Sequence, residues 1–218
     1  MPKSKYNYNL KLFSINTEHK AYILGFIVAD GTISKTKSNH SVTMYQKEKQ
    51  ILNDIQHITD GRVSHTNRDQ YVLRLNSKYL FEQALTVGLR QNKSHNGIDT
   101  ELMKSKIPSN LVKHFFRGLI DGDGCITLTP APSYEFQPCV HLALTDKLLV
   151  EWFKSYFNLT QSISSRLPRD TNFKSNEVMY SITIRHGSVR ILYDMYSDSL
   201  IHINRKKKRA DMILSFFD

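Results

Sequence analysis

Two short segments of this 218-residue chain repeat one pattern of apolar, small and acidic residues. Residues 23–31 read ILGFIVADG, and residues 116–124 read FRGLIDGDG. Each has the composition of a buried helix whose small residues lie four positions apart, at Gly25 and Ala29 and again at Gly118 and Gly122. Residues at this spacing share a helix face, and small residues let a second backbone approach closely. The sequence therefore predicts two helices packed against each other along these faces.

Each apolar stretch ends in an aspartate followed by a glycine, Asp30–Gly31 in the first copy and Asp123–Gly124 in the second. Glycine suits the left-handed position that often terminates a helix. A carboxylate at a helix C-terminus is disfavoured by roughly 0.3–1 kcal/mol, because the helix dipole is negative there. If the helices pair, two carboxylates converge, and a bound cation would offset their repulsion. Two ordinary core helices with exposed terminal aspartates are the alternative, which the recurrence of the pattern disfavours.

The two segments resemble the LAGLIDADG motif of homing endonucleases, and the double copy resembles the single-chain, two-repeat members of that family. The resemblance implies that Asp30 and Asp123, at position eight of the motif, are metal-binding acids. The predicted metal site comprises these two residues with the adjacent Ala29 and Gly122. Position six is Asp121 in the second copy but Val28 in the first. This departure is mild, because position six is not the catalytic acid of the family.

Hydrophobic periodicity predicts the same order of elements in both halves. The first half reads as a helix, a strand pair, a helix, a second strand pair and a helix, at residues 17–30, 32–36, 41–45, 48–58, 62–66, 71–76 and 78–89. The second half repeats this order at residues 109–123, 125–129, 137–145, 146–157, 161–166, 178–185 and 188–196, and a basic helix follows at 204–217. The repetition is evidence of an internal duplication.

The predicted fold is therefore α+β, with two pseudo-symmetric αββαββα repeats at residues 1–104 and 105–218. The family resemblance adds that the motif helices pack at the centre and that the antiparallel sheets form a DNA-binding saddle. Because both repeats lie in one chain, we expect a monomer.

Composition excludes several other classes of protein. The 40% hydrophobic and 23% charged residues are ordinary for a globular protein, and no apolar run reaches the ~18–20 residues of a membrane span. The first twelve residues lack the apolar core of a secretory signal. Cys125 and Cys139 form no disulfide framework, and their spacing with His141 does not fit zinc. We expect an intracellular protein with reduced thiols, located where the host genomic DNA resides, in a prokaryotic cytoplasm or an organelle.

A net charge of +10 favours a nucleic acid or an anionic membrane as partner, and the chain lacks an amphipathic basic helix that would lie on lipid. The free faces of the predicted strands carry hydroxyl, amide and guanidinium groups, which read base edges, and a β-ribbon fits the major groove. A merely solvated sheet face is the alternative. The predicted DNA-binding residues are Ser34, Lys35, Lys37, Arg62, Ser64, Arg74, Asn76, Thr127, Thr129, Gln137, His141, Ser164, Arg166, Ser181, Thr183 and Arg185.

The family resemblance also implies a lysine that points into the catalytic centre from the end of each repeat, at Lys93 and Lys206. An ammonium group there could stabilise negative charge on a phosphate or help to activate water. The alternative for Lys206 is membership of a solvated basic run at residues 205–209 that binds phosphate or serves as a nuclear address. Gln46 matches a position that often orders water, and Thr145 and Asp146 occupy the corresponding stretch of the second half.

These features predict a site-specific endonuclease of intron-homing type that cuts both strands of a long, roughly palindromic duplex. Divalent ions held by carboxylates supply the chemistry of phosphodiester hydrolysis, and we expect Mg²⁺, with Mn²⁺ or Ca²⁺ able to occupy the same sites. An EF-hand loop starting at Asp121 is excluded, because Pro132 would stand where the bidentate glutamate belongs. Another class remains open: an intron-splicing maturase that binds RNA, or a DNA-binding protein that does not cut.

Overall fold

The computed structural model describes residues 8–131, 134–167 and 177–217, and the chain forms two compact units. The first unit contains the chain up to Gly122 together with Ser199–Asn204, and the second contains Asp123–Asp198 and the residues from Arg205 onward. The predicted boundary at residues 104/105 refers to the duplicated sequence and stays a prediction. Packing places the whole of the second motif copy up to Gly122 in the first unit.

The first unit places one four-stranded antiparallel sheet beside its helices, with strand order β1-β2-β4-β3. Its elements are α1 (Glu18–Asp30), β1 (Gly31–Lys35), β2 (His40–Gln46), α2 (Lys49–Thr59), β3 (Arg62–His65), β4 (Tyr71–Asn76), α3 (Lys78–Thr86), α4 (Lys93–Asn96), α5 (Thr100–Lys106), a 3₁₀ turn (Ser109–Leu111) and α6 (Val112–Asp123). The last residue of α6, Asp123, belongs to the second unit.

The second unit contains another four-stranded antiparallel sheet, with strand order β5-β6-β8-β7. Its elements are β5 (Cys125–Ala131), β6 (Tyr134–Leu144), α7 (Lys147–Tyr156), β7 (Ser164–Arg166), β8 (Met179–Ile184), α8 (Ser188–Tyr196) and α9 (Asn204–Phe217). Read from α1 and from α6, both halves have the order αββαββα. The predicted α+β fold with two repeats is confirmed.

Helices α1 and α6 pack along their glycines, as the motif predicts. A Cβ added to Gly25 would lie 2.0 Å from the carbonyl oxygen of Phe115, and one added to Gly118 would lie 2.1 Å from that of Tyr22. A Cβ on Gly122 would lie 2.2 Å from the Cβ of Ala29. No real Cβ tolerates such distances, so the two backbones are as close as they are only because these positions lack side chains. We call this contact the glycine seam.

Local capping explains where several elements begin and end. The side chain of Thr17 accepts a hydrogen bond from the backbone N–H of Lys20 and caps the start of α1. Helix α3 ends at Thr86 rather than at the predicted Leu89, because Gly88 takes a φ of +92°. Helices α4 and α5 were not predicted, although Asp99 caps α5 by accepting from the N–H of Leu102.

Each sheet turns an apolar face toward its helices. In the first unit, Val42, Met44, Leu73 and Leu75 are buried against α2 and α3. The second hairpin of the second unit is shorter than predicted, since β7 begins at Ser164 and pairs with three residues of β8. None of the helices in the described ranges combines the length and apolarity needed to cross a membrane.

Candidate catalytic site and nucleic-acid interface

Asp30 is the last residue of α1 and is half-buried. Its Oδ2 accepts a hydrogen bond from the Nε2 of Gln46, the last residue of β2, at 3.0 Å. The same Oδ2 lies 3.4 Å from the point where a Cβ on Gly122 would stand. The glycine seam therefore brings the first acid beside the residue that directly precedes Asp123 in the chain.

Asp123 ends α6 in the same way that Asp30 ends α1, and its side chain is exposed. Both acids therefore stand at a helix C-terminus, as their positions in the motif predict. Within the described ranges, no group of three or more His, Cys, Asp or Glu side chains is arranged to hold a metal ion. Metal binding by these aspartates stays a prediction.

Lys93 lies at the C-terminal end of α1. Its Nζ donates to the carbonyl oxygens of Ile27 at 3.0 Å and Ala29 at 2.5 Å, and also to that of Val28. A cation bound to the last carbonyls of a helix offsets the negative end of its dipole. Lys93 therefore offsets part of the electrostatic cost of placing the Asp30 carboxylate at the C-terminal end of α1. The carbonyl oxygen of Ala29 already accepts a hydrogen bond from Lys93. Ala29 is therefore a less suitable metal ligand than the two carboxylates.

Lys206 is 5% exposed and donates from Nζ to the carbonyl oxygen of Gly124 at 2.8 Å. Its burial separates it from the exposed Arg205, Lys208 and Arg209, so Lys206 is not simply one cation of a solvated run. The two predicted lysines bind different motif positions: Lys93 contacts positions five to seven, and Lys206 contacts position nine. Their catalytic role stays a prediction.

Strand register identifies the residue in the second half that corresponds to Gln46. Gly31 pairs with Met44, two residues before Gln46, and the pairing of Cys125 with His141 places Leu142 opposite Gly124. The equivalent of Gln46 is therefore Leu144, which is 8% exposed. The assignment of Asp146 to this position is wrong, because Asp146 caps α7 by accepting from the N–H of Leu149 at 2.9 Å. Thr145 precedes that cap.

Arg117, at position two of the second motif copy, is fully buried. Its Nε donates to the carbonyl of Ile201 at 3.1 Å, its Nη2 pairs with Glu18 at 2.5 Å, and its Nη1 lies 2.9 Å from the Nδ1 of His114. The guanidinium also stands 5.4 Å from the ring centre of Tyr22. This network was not predicted from the sequence. The signal that could have indicated it is an arginine within an apolar helix, because a buried arginine needs partners.

Asp121, at position six of the same copy, is also fully buried. Its Oδ2 accepts from the hydroxyl of Tyr22 at 2.7 Å and from the backbone N–H of Ile203 at 2.8 Å. Together with Arg117, it holds the segment Ser199–Asn204 against α1 and α6 inside the first unit. Position six of the second copy is therefore a structural anchor for a distant segment of the chain.

Most of the residues predicted to form the polar face of the first sheet do lie on one side of that sheet. Strand alternation and register place five of the seven predicted residues on the side opposite the apolar core, namely Ser34, Arg62, Ser64, Arg74 and Asn76. Lys35 alternates with Ser34, so it belongs to the face of Ile33, at the exposed end of β1. Lys37 lies in the turn between β1 and β2. DNA contact by these residues stays a prediction.

In the second unit, the nine predicted residues share one face of the sheet or extend its line: Thr127, Thr129, Gln137, His141, Ser164, Arg166, Ser181, Thr183 and Arg185. The Nδ1 of His141 lies 2.9 Å from the Oγ1 of Thr183. Burial lowers the pKa of His141 and raises that of the Cys139 thiol on the same face. At neutral pH this histidine therefore presents a neutral ring, which both donates and accepts.

Comparison with known proteins finds a family model that matches part of the chain. Residues 17–84 match the family model described as a LAGLIDADG-like domain. An uncharacterized protein of Methanocaldococcus jannaschii is 24% identical over 156 residues, which is 66% of this chain and 55% of that protein. The chain thus spans about half the length of this curated relative.

Three solved structures share the fold. The LAGLIDADG meganuclease I-AabMI, bound to uncleaved DNA, has a TM-score of 0.60 and 16% identity, covering 90% of both chains. I-SmaMI, bound to an uncleaved DNA target with calcium ions, has a TM-score of 0.57 and 13% identity, covering 90% of both chains. I-DmoI, in complex with DNA and Mn, has a TM-score of 0.56 and 16% identity, covering 88% of this chain and all of the other. These likenesses confirm the fold expected from the repeated motif.

Proposed function

We propose that this protein, which carries a LAGLIDADG-like domain in residues 17–84 and has the fold of the LAGLIDADG meganucleases, is a site-specific double-strand DNA endonuclease. The observation that carries the proposal is the glycine seam, which sets the carboxylate of Asp30 beside Gly122, the neighbour of Asp123. Two helices that each end in an aspartate, and two sheets that each have a polar face, are parts that hydrolysis of a duplex would use. Each motif copy would serve one strand.

The side chains at the helix ends fit a hard divalent cation. Asp30 and Asp123 offer carboxylate oxygens, which Mg²⁺ prefers, and Mg²⁺ commonly binds through one or two carboxylates with water and phosphate as further ligands. I-SmaMI with calcium and I-DmoI with Mn support the choice of a divalent ion. When bound, such an ion would supply an activated water and charge stabilisation at the scissile phosphate. Of the other predicted ligands, Gly122 remains a candidate through its backbone.

The residues of the chain would orient the reactants around this centre. Gln46 holds Oδ2 of Asp30 at 3.0 Å and so fixes the direction of the carboxylate. Lys93 and Lys206 bring positive charge to the ends of the two motif helices, which would stabilise negative charge developing on the phosphate oxygens. Asp121 holds the backbone at Ile203, which precedes the helix that carries Lys206.

The two polar sheet faces would bind the duplex. A net charge of +10 provides the sequence-independent attraction to phosphate, and the hydroxyl, amide and guanidinium groups of the faces would read base edges. Because the two halves differ in sequence, the target would be long and only roughly palindromic. With both repeats in one chain, the enzyme would act as a monomer wherever the host genome lies.

The experiment incubates the full chain with Mg²⁺ and plasmid DNA that carries the uninterrupted insertion site of its own gene. We expect nicked and then linear plasmid, and no product in EDTA. The matched variant Asp30→Asn should bind the same DNA without completing the double-strand break.

The other outcomes separate the competing functions. A mobility shift of the duplex without cutting would identify a DNA-binding protein that does not cleave. Binding of the intron RNA, with acceleration of its splicing, would identify a maturase, and cutting together with splicing would show both activities.

A further inference from the structure

A recess of about 270 Å³ opens on the polar face of the first sheet. It is lined by Tyr8, Arg62, Ser64, Arg74 and Asn76. Four of these residues come from the adjacent strands β3 and β4, and Tyr8 precedes α1. The hydroxyl of Tyr8 accepts from the backbone N–H of Asn76 at 3.2 Å, which fixes the end of β4 at the recess.

Two arginines face each other across this recess. Arg62 of β3 and Arg74 of β4 are directly paired in the strand register, and both are exposed. Like charges directly opposite each other on neighbouring strands destabilise a sheet. None of the five lining residues is acidic, so the recess itself supplies no counter-charge. Features that lower the stability of the sheet are expected at functional sites. This arginine pair is therefore a candidate site for binding a hydrogen-bond acceptor from outside the protein.

The two arginines have different surroundings. Arg74 lies on an interior strand between β2 and β3, beside the buried Thr43, and its Nη1 donates to the Oγ of Ser64 at 3.3 Å. This hydrogen bond uses one of the five guanidinium N–H groups and orients the others. Arg62 lies on β3, which is the edge strand of the sheet.

We infer that Arg74 is a specificity-determining residue that reads a guanine in the major groove, and that Arg62 contacts a phosphate of the same duplex. An oriented guanidinium in the middle of the face matches the O6 and N7 acceptors of guanine, the commonest arginine–base contact. A guanidinium at the edge of the sheet is placed to meet the DNA backbone, which positions the protein without reading sequence. The inference rests on the proposed function, because it needs this face to lie on duplex DNA.

The test begins with selection of bound duplexes from a randomised DNA library by the full wild-type chain. Affinities are then measured for the selected duplex and for its single-base-pair variants. Arg74→Lys keeps the positive charge but loses the two-pronged donor. We expect it to lower affinity for the selected duplex by about ten- to a hundredfold and to abolish the preference for G·C at one base pair. Preferences at the other positions should persist.

Arg62→Ala should weaken binding to all duplexes alike and leave the preference at every base pair unchanged. The slope of log affinity against log salt concentration should fall by ~0.9, the value for one lost phosphate contact. Lys104→Ala is the matched control, because Lys104 is an exposed cation on α5 and its removal alters the net charge equally. This control should change neither the slope nor the specificity.

The outcomes separate the inference from the proposed function. If Arg74→Lys lowers the salt slope and affects all duplexes alike, Arg74 contacts phosphate and the assignment to guanine is overturned. If Arg74→Lys and Arg62→Ala bind every duplex as the wild type does, the recess does not contact DNA, and the inference is overturned while the proposed function stands. If the wild-type chain selects no duplex from the library, the proposed function itself fails.

Discussion

The two motif copies share their packing and differ in their polar groups. At the glycine seam, Gly25 and Gly118 are equivalent: a Cβ added to Gly25 would lie 2.0 Å, and one added to Gly118 2.1 Å, from a backbone oxygen of the other helix. At positions two and six the first copy has Leu24 and Val28, whereas the second has Arg117 and Asp121. All four are buried. The motif therefore constrains the contact between the two helices, whereas positions two and six can carry different residues with different roles.

The second copy uses that freedom to hold the segment Ser199–Asn204. Arg117 binds the carbonyl of Ile201, and Asp121 binds the N–H of Ile203. The surroundings of the two acids differ as well, since Gln46 hydrogen-bonds Asp30 while the register equivalent of Gln46 is the apolar Leu144. The two halves are thus equivalent in fold and unequal in chemistry.

The largest expected effect tests whether both copies take part in catalysis. Asp30→Asn and Asp123→Asn should each slow the cutting of one DNA strand by on the order of a hundredfold or more, because each variant loses a charged oxygen at one helix end. Duplexes labelled on either strand would measure the two rates separately, with DNA affinity as the control for folding. Unchanged cutting of both strands by either variant would remove that aspartate from the site.

The buried arginine gives the next largest effect, this time on stability. Arg117→Leu, which copies Leu24 of the first motif, should lower the free energy of unfolding by about 3–5 kcal/mol, because Glu18 loses its buried partner. Chemical denaturation would measure the loss. In the double variant with Glu18→Gln the two effects should be clearly non-additive. Additive losses would show that the two side chains are not coupled.

The glycine seam should respond equally in both copies. Gly25→Ala and Gly118→Ala should each cost about 1–3 kcal/mol, because the added methyl meets a backbone oxygen that cannot rotate away. Gly187→Ala is the control: it has open space around it and a φ of +84°, so it bears only the conformational cost of about 1 kcal/mol. Equal stability of all three variants would contradict the close packing.

Gln46→Leu would make the first site resemble the second. We expect cutting of one strand to slow by roughly tenfold, less than the roughly hundredfold or more typical of a group that itself transfers the proton, with DNA affinity unchanged. The matched variant Leu144→Met, conservative in volume, should leave both strand rates unaffected. If Gln46→Leu slows neither strand, the hydrogen bond to Asp30 has no catalytic role.

The smallest effect concerns pH and the sheet face of the second unit. Because burial lowers the pKa of His141, the folded state binds fewer protons than the unfolded state just below the ordinary value of 6.5. Stability should therefore fall as the pH decreases from about 6.5 and level off below the folded pKa, with a slope of at most ~1.4 kcal/mol per pH unit. His141→Gln should remove this component from denaturation curves recorded between pH 5 and 8. An unaltered pH profile in that variant would contradict it.

Most of the fold could be predicted because each element has a local pattern. Alternation of polar and apolar residues located the strands, and the small residues at Gly25 and Gly118 located the helix contact. The position of the two aspartates at helix ends followed from the same motif.

The parts that escaped prediction depend on contacts between distant residues. The partners of Arg117 and Asp121 lie about eighty to a hundred residues away along the chain, at Ile201, Ile203 and Glu18. The counterpart of Gln46 is defined by strand register, which a single sequence specifies only weakly near a loop. Lys35 was placed on the wrong face because it directly follows Ser34, and consecutive residues of a strand point to opposite faces of the sheet.

One measurement addresses the central proposal, that Asp30 and Asp123 bind divalent metal. A crystal of the full chain with its duplex and Mn²⁺ would show bound manganese through anomalous scattering. We expect manganese in contact with the carboxylate of Asp30, with that of Asp123, and with phosphate of the DNA. A peak bound elsewhere on the chain, or no peak beside either aspartate in a complex that cuts DNA, would contradict it.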